Sequence, residues 1–164
     1  MELEHVTHDF PPIYNGESRI LMLGTMPSPK SREVGFYYGH PRNRFWKVVS
    51  DVCGEALPVT KEEKILFALK NKIACMSECS KIRFISLGIG FLILLSSAPL
   101  ISQPANTSHT AIFTTGTKAA RLYKKYCYPQ TGIQAISLPS TSPANCRMSY
   151  EELYDAYAVI KKYL

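Results

Sequence analysis

"AIFTTGTKAARLYKKY", Ala111 to Tyr126, and "IQAISLP", Ile133 to Pro139, decide the fold between them. The first opens on a short apolar run that stops at Gly116 and reads as a buried strand. "TKAARLYKKY" reads as the helix that follows it. The second is again a strand, ending at Pro139, a residue that cannot donate to a ladder. Strand, helix, strand in this order describes a parallel crossover unit.

Working outward, "RILMLG" (Arg19 to Gly24) is another short apolar run ending in glycine, and "KIACM" is a further strand. Between them "TMPSPKSREVG" reads as a loop. Pro41 suits the first turn of a helix, where no donor is needed. Phe45, Val48, Val49 and Val52 then repeat at helical spacing, and Gly54 ends the run. "TKEEKILFALKN" opens with a capping box, Thr60 and Glu63, and offers Ile65, Leu66 and Leu69 as its apolar face. Near the other end Ser149 and Glu152 form a second capping box. Leu153, Tyr157, Ile160 and Leu164 follow along one stripe. The expected fold is a three-layer α/β/α sandwich with a central, mainly parallel four-stranded sheet, as one domain over residues 1–164.

Composition agrees with a soluble globular domain. The chain has 164 residues, 46% hydrophobic and 20% charged, enough for a real core. Its net charge of +6 suits a polyanionic partner such as nucleic acid, or plain solubility. The five cysteines are odd in number and form no CxxC pair, so they read as reduced thiols rather than disulfides or metal ligands. "MELEHVTHDF" carries no apolar signal core, and a cytoplasmic location is expected. "LGIGFLILL", Leu87 to Leu95, falls short of the roughly 20 apolar residues of a membrane span and reads as a buried strand or helix.

In parallel sheets ligands sit beyond the carboxyl ends of the strands. Two loops leave such ends with unusual chemistry. The first, Thr25 to Asn43, carries Ser28, Lys30, Ser31 and Arg32 and then "GFYYGHPRNRFW". Aromatic rings there can stack bases, and arginines and free amides can hold phosphates. Phe45 and Trp46 fall on the following helix and read as core. Tyr37 and Tyr38, flanked by glycines, suit a cleft as well as a core. The second loop, "LPSTSPANCR", sets Ser140, Thr141 and Ser142 between prolines, then Asn145 and Arg147. It reads equally as a phosphate clamp and as a turn with a helix cap. No phosphate-loop, dinucleotide, zinc-protease or serine-hydrolase signature occurs. His40 and His109 each stand without a visible partner. From residues alone the chain is a basic α/β domain suited to nucleic acid.

At these two loops the chain resembles the uracil-DNA glycosylase superfamily. "GTMPSPKSREVGFYYGHPRNRFWK" is similar to its first motif with the following "HPxNRFWK" segment, and "LPSTSPANCRMSYEELYDAY" to its second motif and C-terminal helix. "PSPKSREVGFYYGHPRNRFW" looks most like the hypoxanthine-DNA glycosylase branch, whose substrate is deaminated adenine. The resemblance implies base flipping into a pocket. It places Gly24, Thr25, Met26, Pro27, Tyr38 and His40 in the base pocket, with Tyr38 stacking on the flipped base. It implies Asn43 as the catalytic or base-reading group. Ser28, Lys30, Arg42, Ser140, Thr141, Ser142, Asn145 and Arg147 are the implied DNA contacts. It implies no metal and no cofactor, DNA carrying a deaminated base as partner, a monomer, and a nucleoid association in a prokaryote.

Two departures accompany the resemblance. Met26 stands where the mismatch-specific enzymes hold water with an asparagine, and the hypoxanthine branch also lacks that asparagine. Residues 75–110 replace a strand with an aspartate and a polar Asp-Ser-Ser loop by an apolar run. A displaced reading frame, restored before Ala111, is one account; a genuine apolar replacement is the other. The runner-up function is a catalytically impaired nucleic-acid-binding domain.

Overall fold

A computed structural model describes residues 10–25, 27–77, 82–87, 90–95, 98–102 and 111–164. The first strand, β1 (Ile20–Gly24), leads into α1 (Pro29–Val34), α2 (Phe45–Cys53), α3 (Lys61–Lys70) and β2 (Ile73–Ser77). Strands β3 (Ile82–Leu87), β4 (Gly90–Leu95) and β5 (Ala98–Ser102) follow. The chain continues with β6 (Ala111–Thr115), α4 (Thr117–Leu122), a π-helical turn (Tyr123–Cys127), α5 (Tyr128–Thr131) and β7 (Ile136–Leu138). It closes with α6 (Tyr150–Tyr157) and a 3₁₀ turn (Ala158–Lys162).

The central sheet has four strands in the order β2-β1-β6-β7, and every pairing in it is parallel. Leu23 faces Met76 on one side and Thr114 on the other. Alternation along β1 sorts the core. Ile20 and Met22 turn to one face with Phe45, Val48, Val49, Phe67, Leu153, Tyr157 and Ile160, the buried sides of α2, α3, α6 and the closing 3₁₀ turn. Leu21 and Leu23 turn to the other face, under Tyr123 and Cys127. A period of two in the strand thus supplies both interiors of the sandwich. Each buried large apolar side chain contributes about 1.5–3 kcal/mol. An isolated antiparallel bridge, Ile13 to Cys75, lays the N-terminal segment along β2. β3, β4 and β5 form a separate antiparallel sheet in which Ile85 pairs with Leu92. The apolar run is therefore a strand over Gly90–Leu95.

Local chemistry explains the ends of the helices. Both expected capping boxes form, Thr60 with Glu63 and Ser149 with Glu152. Gly54 closes α2 in the left-handed region, φ 71°, which glycine reaches without a Cβ penalty.

Three details differ from the sequence reading, and a fourth settles an alternative it left open. Part of the expected loop after β1 is helical, because Ser28 caps α1 through its hydroxyl and Pro29 opens it. Pro41 lies before α2 rather than in its first turn, since the cap is Arg44. In α3 the buried residues are Phe67 and Ala68, with Leu69 partly buried, while Leu66 is exposed; the Lys61–Lys70 helix is turned by about one position from the expected face. Tyr37 belongs to the core. It is buried, donates from its hydroxyl to the Phe10 carbonyl at 3.2 Å and meets the Phe10 ring edge-on.

Candidate active site

A cavity of about 350 Å³ opens where β1, β2 and β6 end, lined there by Gly24, Met76 and Thr115. Its walls come from the first loop (Thr25, Pro27, Ser28, Tyr38, His40, Asn43) and the second (Ser140, Thr141, Ser142). Among the expected site residues, Lys30, Arg42, Asn145 and Arg147 do not line it, and Met26 lies outside the described residues. The two loops, Thr25 to Asn43 and Ser140 to Arg147, are far apart in sequence, yet the parallel sheet delivers both to one edge.

Tyr38 dominates the cavity. Its backbone is left-handed, φ 52°, an uncommon state for a bulky residue that costs about 1–2 kcal/mol. Two contacts hold it there. Its ring stacks on Phe45, centroids 3.7 Å apart and planes 11° apart. Its hydroxyl lies 3.2 Å from Thr115 Oγ1, which donates to the Leu23 carbonyl at 3.3 Å. A hydroxyl has one proton, so Tyr38 is the donor to Thr115. The β1 terminus must be bare for this to fit: a Cβ at Gly24 would sit 3.2 Å from the Tyr38 oxygen. Burial first, and then the Cys75 thiol, push the Tyr38 phenol well above the ordinary tyrosine value. The ring is therefore neutral over the whole physiological range. Phe45 and Trp46 are core, as their helical spacing implies, and the Trp46 indole donates to the Tyr37 carbonyl at 3.0 Å.

The residues between Tyr38 and α2 are tied by short bonds. His40 receives the Arg42 backbone N–H on Nδ1 at 3.1 Å, which places the proton of the neutral ring on Nε2. The His40 N–H goes to Ser31 Oγ at 3.1 Å, and Ser31 Oγ also receives Ser28 Oγ at 3.1 Å. Asn43 accepts the Phe45 N–H on Oδ1 at 2.9 Å, so its carbonyl starts α2. The Asn43 Nδ2 group has no partner among the described residues, and Asn43 lines the cavity.

The second loop is internally braced. Ser140 Oγ receives the Ser142 N–H, and Asn145 Nδ2 donates to the Ser140 carbonyl at 2.9 Å. Ser140 and Ser142 are half-buried, whereas Thr141 is buried and hydrogen-bonded to Tyr157. Asn145 is thus a brace at the back of the loop. Arg147 is exposed, and Lys30 is ion-paired to Glu33 at 2.6 Å.

Three residues outside the expected site set shape the site. Thr115 carries the Tyr38 hydroxyl, and its place at the carboxyl end of a parallel strand was the available signal. Ser31 is buried and links Ser28 to His40. Arg44 donates to the carbonyls of Met148 at 2.7 Å and Asn145 at 2.8 Å, while its N–H reaches the Thr141 carbonyl at 3.1 Å. No local pattern announces that contact.

The family model described as the uracil DNA glycosylase superfamily matches residues 11–161. The chain belongs to this superfamily. Glycosylases of known name resemble its parts. The "Hypoxanthine DNA glycosylase" of Methanosarcina barkeri is 42% identical over 65 residues, 39% of this chain and 41% of that protein. The protein of the same name from Methanosarcina acetivorans is 38% identical over 66 residues, 40% and 42% of the two chains. The chain thus spans about two-fifths of the length of the curated glycosylases it matches. The solution NMR structure of a uracil DNA glycosylase candidate from Methanosarcina acetivorans shares the fold. Its TM-score is 0.62 at 24% identity, covering 94% of this chain and 98% of that one. Among the described residues no helix is long and apolar enough to cross a membrane.

Proposed function

We propose that this chain is a monofunctional DNA glycosylase that removes a deaminated base from DNA, hypoxanthine first, with uracil and xanthine as further substrates. The observation that carries the reading is the Tyr38 ring, backed by Phe45 and set in the wall of a cavity at the sheet's carboxyl edge. The names of the two partial relatives support hypoxanthine.

In this reading a nucleotide leaves the duplex and its base stacks on Tyr38. Unstacking costs a few kcal/mol, and a stacked base returns about 1–3 kcal/mol. Gly24, Thr25 and Pro27 form the pocket wall, and His40 offers an Nε2 proton. Asn43 Nδ2 donates to the base or positions water. Ser140 and Ser142 hold the phosphate beside the lesion, with Thr141 fixing their loop; Ser28, Lys30, Arg42, Asn145 and Arg147 support the backbone path. The N-glycosidic bond then breaks, water adds to C1′, and the base departs. Fixed dipoles and DNA phosphates stabilise the charges that develop. The protein acts as one domain over residues 1–164, as a monomer in the cytoplasm, at the nucleoid in a prokaryote.

The test uses duplexes with a single hypoxanthine, uracil or xanthine, followed by alkaline cleavage of abasic sites. Strand breaks at hypoxanthine are expected. A second reading, a nucleic-acid-binding domain with impaired catalysis, is favoured by one observation: Asn43 Oδ1 is already taken by the Phe45 N–H. It predicts salt-sensitive binding without strand breaks. A displaced reading frame within residues 75–110 would account for such impairment, and the gene sequence of near relatives tests it.

A further inference from the structure

A second groove lies against the first. It has a volume of about 420 Å³ and shares Tyr38, His40 and Asn43 with the cavity as a common wall. Its remaining lining includes four cations, Arg42, Arg44, Lys47 and Lys64, and no carboxylate. Arg44 is occupied by loop carbonyls, and Lys47 is paired with Asp51 at 3.0 Å. Arg42 is exposed, and among the described residues neither its guanidinium nor the Lys64 ammonium has an acidic partner. Lys64 is half-buried, its ammonium 6.0 Å from the Phe36 ring centre. Partial burial lowers its proton affinity, and neighbouring Glu63 only partly opposes this. An anion brought to this ammonium would restore the lost solvation.

We propose that this groove receives the phosphodiester backbone flanking the flipped nucleotide, with Arg42 and Lys64 as its two phosphate contacts. The inference rests on the glycosylase reading of the adjoining cavity. A strand whose base enters past Tyr38 must continue across the wall of Tyr38, His40 and Asn43, and the other side of that wall is this groove. The two cations come from different elements, the loop before α2 and the second turn of α3. Their convergence is therefore tertiary, not a consequence of local sequence.

The test measures binding to a hypoxanthine-containing duplex by fluorescence anisotropy between 50 and 200 mM salt, roughly the range over which phosphate contacts reveal themselves. Each phosphate contact contributes about 0.9 to the slope of log K against log salt. Lys64→Gln and Arg42→Gln are each expected to lower the slope by about one, and the double variant by about two. Lys64→Arg, which keeps the charge, is expected to restore it. Lys124→Gln, an exposed cation outside the groove, serves as the control for net charge. A Lys64→Gln slope equal to that of Lys124→Gln overturns the proposal while leaving the cavity's reading intact. Wild-type protein that shows no salt-dependent binding to the duplex overturns both.

Discussion

The ring of Tyr38 lies flat on the ring of Phe45, with centroids 3.7 Å apart. Phe45 is fully buried and Tyr38 is not, so the pair joins the core to the cavity wall. Aromatic pairs add about 0.5–1.5 kcal/mol beyond their burial, which helps offset the left-handed backbone at Tyr38. Phe45→Ala is expected to lower stability by about 3–5 kcal/mol, read by urea unfolding. Phe45→Leu is expected to be milder in stability, yet to weaken excision by loosening Tyr38. Equal losses of activity and stability in Phe45→Leu would argue against a platform role.

Asn43 has two ends with separable duties. Asn43→Ala removes both the Phe45 N–H acceptor and the Nδ2 donor. Asn43→Asp keeps the acceptor alone. We expect the first to lose about 1 kcal/mol of stability and the second far less. Both are expected to lose about a hundredfold in single-turnover excision, the usual cost of removing one oriented donor. Full activity in Asn43→Ala would take Asn43 out of the chemistry.

Arg44 acts at a distance from the base by fixing the second loop. Hydrogen bonds from charged groups contribute about 1.5–3 kcal/mol each. Arg44→Ala is expected to destabilise by roughly that amount and to raise KM for duplex more than it lowers kcat. Arg44→Lys is not expected to recover, because one ammonium does not reproduce a guanidinium fork on two carbonyls. A kcat defect without a KM change would refute the loop-fixing role.

Gly24 is required to be small. Its missing Cβ leaves room for the Tyr38 oxygen at 3.2 Å and Thr115 Oγ1 at 3.6 Å. Gly24→Ala is expected to push the Tyr38 hydroxyl off Thr115 and to lower excision about tenfold, a loss of about 1.4 kcal/mol of alignment. Near-wild-type stability, by thermal melt, should accompany it, since the β1 backbone here asks for no unusual angle. Thr115→Val should reproduce the activity loss if the hydroxyl bond is what matters.

Acid should weaken the contact of α2 with α6. Hydrogen bonds from Tyr150 first, and then Lys47, hold the Asp51 carboxyl below the ordinary range. A depressed carboxylate stabilises the fold above its unfolded value, and that stability is lost as pH falls through the folded value. Glu63, held down by the Val59 and Thr60 backbone N–H groups, acts in the same direction. Melting temperature is therefore expected to fall as pH drops below about 5. Asp51→Asn should flatten part of that slope and cost about 0.2–1 kcal/mol at neutral pH, as exposed ion pairs do. An unchanged slope in Asp51→Asn would remove this pair from the acid response.

Strands β1, β6 and β7 were legible because their signal is local: a short apolar run closed by glycine or proline. The capping boxes were legible for the same reason, as Thr60 finds Glu63 within one turn. Tyr37 and Tyr38 were not separable by sequence, being adjacent, identical in chemistry and both between glycines. What divides them is tertiary: Tyr37 meets Phe10, while Tyr38 is turned by its positive φ onto Phe45. The α3 face was misread because Phe67 and Leu66 are equally apolar, and only the position of β2 and α2 decides which one is buried. The roles of Arg44 and Thr115 depend on partners at least 77 residues away, and no window of sequence contains them.

The contact of Arg44 with the carbonyls of Asn145 and Met148 also sets when the site can exist. Its two halves are made far apart in time during synthesis, at about 5–20 residues per second. A nascent chain that has completed β1, α2 and β2 carries Tyr38 and Asn43 but has nothing to close over them. Only after the second loop has emerged can the guanidinium lock it against α2. Such long-range closure is a late folding event, since distant contacts form only after chain entropy has been overcome. A chain that has not yet made the second loop would therefore lack the closed cavity that the glycosylase reading requires.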